Sequence, residues 1–172
     1  MVQVGDKFVK IDGPITRDTI NKYAKASGDR NPMHTDDEFA AKVGLKGVIA
    51  HGMLSFGYGV RHMNDLAREL GGKMINVGCE MRGSVRPGDT IITTIEVKAI
   101  DGNTIELEMI QNSKLPLHLE KDGQIVKVFE GEEREWVKEK EKGGIATEDT
   151  PEGTLTYREW LANKGWGKIK LA

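Results

Sequence analysis

Residues 48–60 read VIAHGMLSFGYGV, a helix-forming stretch whose side chains are apolar or small on nearly every side. A surface helix shows one apolar stripe, whereas a helix apolar all round has to be enclosed. The pattern changes farther along, where Val60, Met63, Leu66, Ala67 and Leu70 share a face and Arg61, Asn64, Asp65, Arg68 and Glu69 lie elsewhere. Gly71-Gly72 ends the run, so one helix over about Val48–Leu70 is expected. The other segments must wrap it, and 172 residues are enough for one domain with a real core.

Strands are the material available for wrapping. One is expected near Asp6–Ile11 and another from Met74 towards Val85, where RPGDT supplies a turn. TIITTIEVKAI is dense in β-branched residues, DG marks a tight turn, and NTIELEMIQNS alternates with period two. GQIVKVFEGEEREWV reads as the last long strand. A helical front half and an antiparallel back half indicate an α+β fold, a curved antiparallel sheet wrapped around the long central helix. Residues 1–137 form this domain. From Lys138 a charged, turn-rich linker leads to TYREWLANKGWGKIKLA, read as a short helix that docks through Tyr157, Trp160 and Leu161.

Ahead of the central helix, Thr16 is a fair N-cap for a helix with Ile20, Tyr23, Ala24 and Ser27 on one face, and Gly28 is the natural residue past its end. Thr35 and Glu38 form a capping box for a second, short helix with Phe39, Ala40 and Val43 as its apolar side, closed by Gly44. Between them runs SGDRNPMH. Pro32 fixes its own φ and pushes Asn31 out of helical geometry, so the segment is a turn that holds Asp29 and His34 at a set separation. It reads either as a polar loop or as an acid–base pair. His34 precedes a helix start, which disfavours an imidazolium, while a nearby carboxylate favours one. A histidine so balanced suits proton transfer near neutrality.

Gly52 supplies a second feature. A glycine in the first turn of a helix lets a ligand approach backbone N–H groups that have no intrahelical partner, which suits a polarised carbonyl. It also reads as room for close helix–sheet packing. His51 alone reads as a histidine satisfied by a backbone partner.

The remaining classes are excluded briefly. A net charge of −2 gives no electrostatic footprint for nucleic acid or an anionic membrane. No segment has the length of a membrane span or a signal peptide core, and the expected location is the cytoplasm. A single cysteine, Cys79, forms no disulfide within the chain and reads as a small core residue. His34-x-Asp36 is too sparse for a metal site. Walker, dinucleotide and nucleophile-elbow motifs are absent, and no cofactor is expected.

The stretch YAKASGDRNPMHTDDEFAAKVGLKGVIAHGM resembles the hydratase-2 motif of the MaoC-like dehydratases, which are hot-dog folds. That motif has an aromatic residue, then S/T-G-D-x-N-P-x-H-x-D, an alanine, and a closing H-G-M. Tyr23, Ser27, Gly28, Asp29, Asn31, Pro32, His34, Asp36, Ala40, His51, Gly52 and Met53 match it. RGSVRPGDTI looks like the family's later strand-turn-strand, and the likeness runs from about residue 5 to 137. The resemblance implies Asp29 and His34 as the catalytic pair around a water. They would add it to a trans-2-enoyl thioester, or remove it from an (R)-3-hydroxyacyl thioester, with syn geometry. It further implies that the Gly52 N–H holds the thioester carbonyl, with Asn31, His51 and Met53 lining the substrate site.

The implied carrier is coenzyme A or acyl-carrier protein, whose phosphates Arg61, Arg82 and Arg86 could meet, and the implied assembly is a homodimer or larger. Leu45 stands where the family often has an aromatic residue, and Ser113–Gly123 is longer than its usual hairpin connection. Two other functions compete on the same fold. A thioesterase would use Asp29 to direct water at the carbonyl, and a non-catalytic acyl-CoA-binding subunit would bind without turnover.

Overall fold

The computed structural model describes residues 2–129 and 144–172. In chain order it has β1 (Lys7–Asp12), α1 (Arg17–Ser27), a 3-10 turn (Pro32–His34), α2 (Asp37–Lys42), α3 (Gly52–Glu69), β2 (Gly72–Met81), β3 (Thr90–Asp101), β4 (Thr104–Lys121), β5 (Gln124–Val128), β6 (Ile145–Thr150) and β7 (Gly153–Leu171). The seven strands form one antiparallel sheet in the order β1-β3-β4-β7-β2, with β5 on β4 and β6 on β7. Phe56, Met63, Leu66 and Ala67 of α3 pack on Ile95 and Val97 of β3, Ile105, Leu107 and Met109 of β4, and Ile169 of β7. This is the expected α+β hot-dog, a sheet around a central helix. Each such side chain contributes on the order of 1.5–3 kcal/mol by leaving water. None of the described helices is long and apolar enough to cross a membrane.

The helix-rich front half is close to expectation. Thr16 caps α1 by accepting from the Thr19 N–H, and Gly28 closes it in the left-handed region at φ 78°. The cap of α2 is Asp36 rather than Thr35, because the Asp36 carboxylate accepts from the Phe39 N–H at 3.0 Å. Helix α3 begins at Gly52, four residues later than its apolar run suggests. Residues 48–51 are enclosed without being helical: the Ala50 N–H donates to the Val85 carbonyl at 2.8 Å and so is taken by the β2–β3 loop. Small residues in α3 then let it settle on the sheet. A Cβ at Gly59 would lie 2.2 Å from Met109 Sδ, and one at Gly52 would lie 2.2 Å from Met81 Sδ.

The C-terminal expectation is corrected. No docking helix forms over TYREWLANKGWGKIKLA; the segment belongs to β7, which runs between β4 and β2. Residues 138–143 of the expected linker lie outside the described residues, as does the part of the expected last strand beyond Phe129. Of its described residues, Gln124–Val128 pair with β4 as β5. The sequence Ser113–Gly123 is likewise no long connection, since β4 continues through Lys121. Strands β4 and β7 therefore form one ladder from Thr104↔Lys170 to Glu120↔Thr154. The half of this ladder that begins at Thr104↔Lys170 carries β3 and β2, and the extension carries β5 and β6.

Two buried devices tie this extension to the body. Arg158 of β7 donates to the Asp89 carboxylate at 2.5 Å, both side chains being fully enclosed. Asp89 also accepts from Ser113 Oγ and from the Arg86 N–H at 3.0 Å. A bulge at Ala162 then turns its carbonyl to the β2–β3 loop, where the N–H groups of Arg82 and Gly83 donate to it at 2.8 and 3.1 Å.

Candidate functional site

The loop after α1 is built from short side-chain-to-backbone bonds. Ser27 Oγ donates to the Tyr23 carbonyl and accepts from the Asp29 N–H. Asp29 Oδ1 accepts from the Asn31 N–H at 3.1 Å, and Asn31 Oδ1 from the Met33 N–H at 3.2 Å. These Asx turns lead into the Pro32–His34 turn, where proline supplies φ ready-made. The carboxylate of Asp29 remains open to solvent while His34 is carried inward to 8% exposure.

His34 Nδ1 lies 2.7 Å from the Ile49 carbonyl. A carbonyl only accepts, so Nδ1 carries the proton and Nε2 keeps the lone pair. Behind it, His51 is 2% exposed, stacked on the His34 ring at a centroid distance of 3.8 Å. By the same logic His51 Nε2–H donates to the Asp29 carbonyl at 3.0 Å, leaving Nδ1 without a protein partner. Tyr23 also sits against His51, ring centroids 5.0 Å apart. The two rings therefore pin opposite ends of the loop to the lead-in of α3, His34 at Ile49 and His51 at Asp29.

A carboxylate oxygen of Asp29 and a ring nitrogen each of His34 and His51 lie within 4.8 Å of one another. One water making two hydrogen bonds of about 2.8 Å spans such a gap. Burial pushes the His34 pKa below its ordinary 6.5, and the neighbouring His51 adds to the fall; the Ile49 bond and the Asp29 charge oppose it. The outcome is a histidine that is neutral at physiological pH, with Nε2 able to accept a proton, next to a carboxylate.

The other expected site residues fall into two groups. Gly52 opens α3 directly after His51, so its N–H belongs to the first turn, where intrahelical partners are lacking. Asn31 is spent on shaping the loop, and Met53 is more than half exposed. Of the arginines, Arg61 pairs with Asp12, which also binds His62 Nε2 at 2.6 Å, and Arg82 pairs with Glu80. Cys79 is half-buried, and burial pushes its thiol pKa up, as befits an inert residue.

Ser55, Thr93, Gln111 and Asn163 form a buried polar cluster beneath the first turn of α3, which sequence reading did not single out. A signal existed: the inward row of β4 reads Ile105, Leu107, Met109, and then turns polar at Gln111 and Ser113.

A family model described as MaoC like domain matches residues 2–115. The (R)-specific enoyl-CoA hydratase of Rhodospirillum rubrum is 31% identical over 86 residues, which are 50% of this chain and 60% of that protein. The 3-hydroxyacyl-thioester dehydratase Y of Mycobacterium tuberculosis is 35% identical over 91 residues, 50% of this chain and 30% of its own. The chain thus spans less than two thirds of these relatives. The solved (R)-hydratase from A. caviae superposes with a TM-score of 0.66 at 18% identity, over 99% of this chain and 98% of its own, a likeness of fold.

Proposed function

Because the chain belongs to the MaoC-like domain family, we propose that it interconverts trans-2-enoyl and (R)-3-hydroxyacyl thioesters, with Asp29 and His34 exchanging the protons. The observation that carries this reading is the approach of the Asp29 carboxylate and the His34 ring to within 4.8 Å, at the entry to the Gly52 turn.

In the hydration direction, a water held between the two groups gives a proton to the pair as its oxygen bonds to C3. The C2=C3 electron pair moves towards C1, and negative charge grows on the thioester oxygen. The Gly52 N–H faces that charge as a preorganised donor. The pair then returns a proton to C2. Both groups lie on one side of the bound substrate, so water adds syn, and elimination is the reverse. Asp29 and His34 interact closely enough that the protonation states belong to the pair. His51 serves as the buried prop behind His34, and Asn31 shapes the loop.

The acyl carrier is coenzyme A or acyl-carrier protein. Strand β2 is an edge of the sheet, and Ile75, Val77 and Met81 on it are exposed. Edges of this kind invite pairing with another chain, which supports a homodimer joined along β2.

Crotonyl-CoA followed through the loss of its enoyl absorbance tests the reading, and the pH profile sharpens it. The active form has neutral His34, whose pKa is lowered. The rate therefore holds at neutral pH and falls only as acidity protonates the ring, with kcat/KM bending below pH 6.5. A profile with its acid limb centred above 6.5 would contradict the assignment of His34.

A further inference from the structure

We infer that Ser55, Gln111 and Asn163 are positioning residues that aim the first-turn N–H of Gly52 at the substrate carbonyl. This rests on the proposed role of Gly52.

Asn163 of β7 donates to Ser55 Oγ at 3.0 Å and to Gln111 Oε1 at 2.8 Å. Gln111 of β4 donates to the Ser55 carbonyl at 2.9 Å and to Thr93 Oγ1 of β3 at 3.0 Å. Ser55 Oγ in turn donates to the Gly52 carbonyl at 2.8 Å. Three central strands thereby hold one helical turn by both its backbone and its side chain. The cluster is buried, Thr93 and Gln111 being at 0% exposure and Asn163 at 1%. Leaving any of these groups unsatisfied would be costly, and an all-apolar row would avoid that risk. What the polar row adds is direction. Apolar packing allows a helix to slide or roll by fractions of an ångström, whereas two strand-to-helix hydrogen bonds at set angles, braced by two more between the strands, do not.

The same cluster is registered to the other wall of the site. Asn163 follows Ala162, whose carbonyl receives the Arg82 and Gly83 N–H groups. Those two residues follow Met81, whose side chain lies against Gly52. Gln111 reaches α3 closely because residue 59 is glycine: a Cβ there would stand 3.1 Å from Gln111 Nε2. Closeness of helix and strand is thus part of the device.

The experiment uses the full chain with Ser55→Ala and Asn163→Leu. Both are assayed on crotonyl-CoA and titrated with 4-(dimethylamino)cinnamoyl-CoA, whose absorbance moves to the red when its carbonyl is polarised. Misaiming an oxyanion donor should lower kcat about 10- to 100-fold. KM should stay within about twofold, because the contact strengthens only in the transition state. The red shift of the bound chromophore should shrink in both variants, which a loss of stability alone would not produce. Alanine is favoured within helices, so Ser55→Ala carries the test if Asn163→Leu fails to fold. A wild-type kcat and a full red shift in folded Ser55→Ala would overturn the inference. Absence of any red shift in the wild type would overturn the Gly52 assignment itself, and the inference with it.

Discussion

Asp29→Asn and His34→Ala are each expected to lower kcat on crotonyl-CoA by about 10²–10⁴, the range general acid–base groups supply. At 1.36 kcal/mol per tenfold, that is roughly 3–5 kcal/mol of transition-state stabilisation. The double variant should be hardly slower than the worse single one, because the two groups pass one proton and act as a unit. Their effects on stability should differ. Asp29 is exposed, and its Asx bond to the Asn31 N–H can be made by asparagine, so Asp29→Asn should melt with the wild type. His34→Ala strands the Ile49 carbonyl and removes the ring stacked on His51, and should cost about 1–3 kcal/mol. Steady-state rates and urea melts on the three proteins separate these effects. Equal, small losses of rate in both single variants would dismiss the pair.

Arg158→Leu should produce the largest loss of stability, about 3–5 kcal/mol, because it leaves the Asp89 carboxylate buried without its cation. That is a large share of the 5–15 kcal/mol that holds a typical domain together. Asp89 would keep its bonds from Ser113 and the Arg86 N–H, which places the expectation towards the lower end. Arg158→Leu combined with Asp89→Asn should recover much of the loss, since no charge is then stranded. Urea unfolding of the single and double variants measures both. A loss below about 1 kcal/mol, the scale of an exposed ion pair, would mean that the pair is solvated. The result bears on the site as well, since this pair and the Ala162 bulge anchor the loop that binds Ala50, two residues before Gly52.

Much of this architecture was legible in the residues because local and tertiary demands agree there. The N-cap Thr16, the left-handed Gly28 and the Asp29–Pro32 turn chemistry act within a few residues of themselves, so spacing alone exposes them. The enclosure of the central helix was legible for the same reason. Its start was not: residues 48–51 are as apolar as the helix they precede, and what straightens them is a bond from Ala50 to Val85, far away in sequence.

Strand β7 was hidden by its own packing. From Lys164 its residues alternate outward and inward, with Lys164, Trp166 and Lys168 exposed and Gly165, Gly167 and Ile169 buried. Two of those inward places are glycine because methionines fill the space: a Cβ on Gly165 would lie 2.6 Å from Met109 Cε, and one on Gly167 would lie 2.9 Å from Met63 Sδ. A hydrophobic count sees no inward row there and reads Tyr157, Trp160 and Leu161 as a helix face. The polar cluster escaped for a related reason. Gln111 and Asn163 look like surface residues until the register Gln111↔Asn163 sets them side by side under Ser55.

The most direct measurement is the stereochemical course of crotonyl-CoA hydration by the wild-type protein in deuterium oxide. Two groups on one face of the substrate predict syn addition, with one deuterium at C2 on the same face as the new hydroxyl, and the proposed reaction requires (R)-3-hydroxybutyryl-CoA as the product. Deuterium distributed over both faces would contradict the paired action of Asp29 and His34, and an (S) product would contradict the proposed (R) specificity. Release of free thiol in place of hydration would contradict the reaction itself.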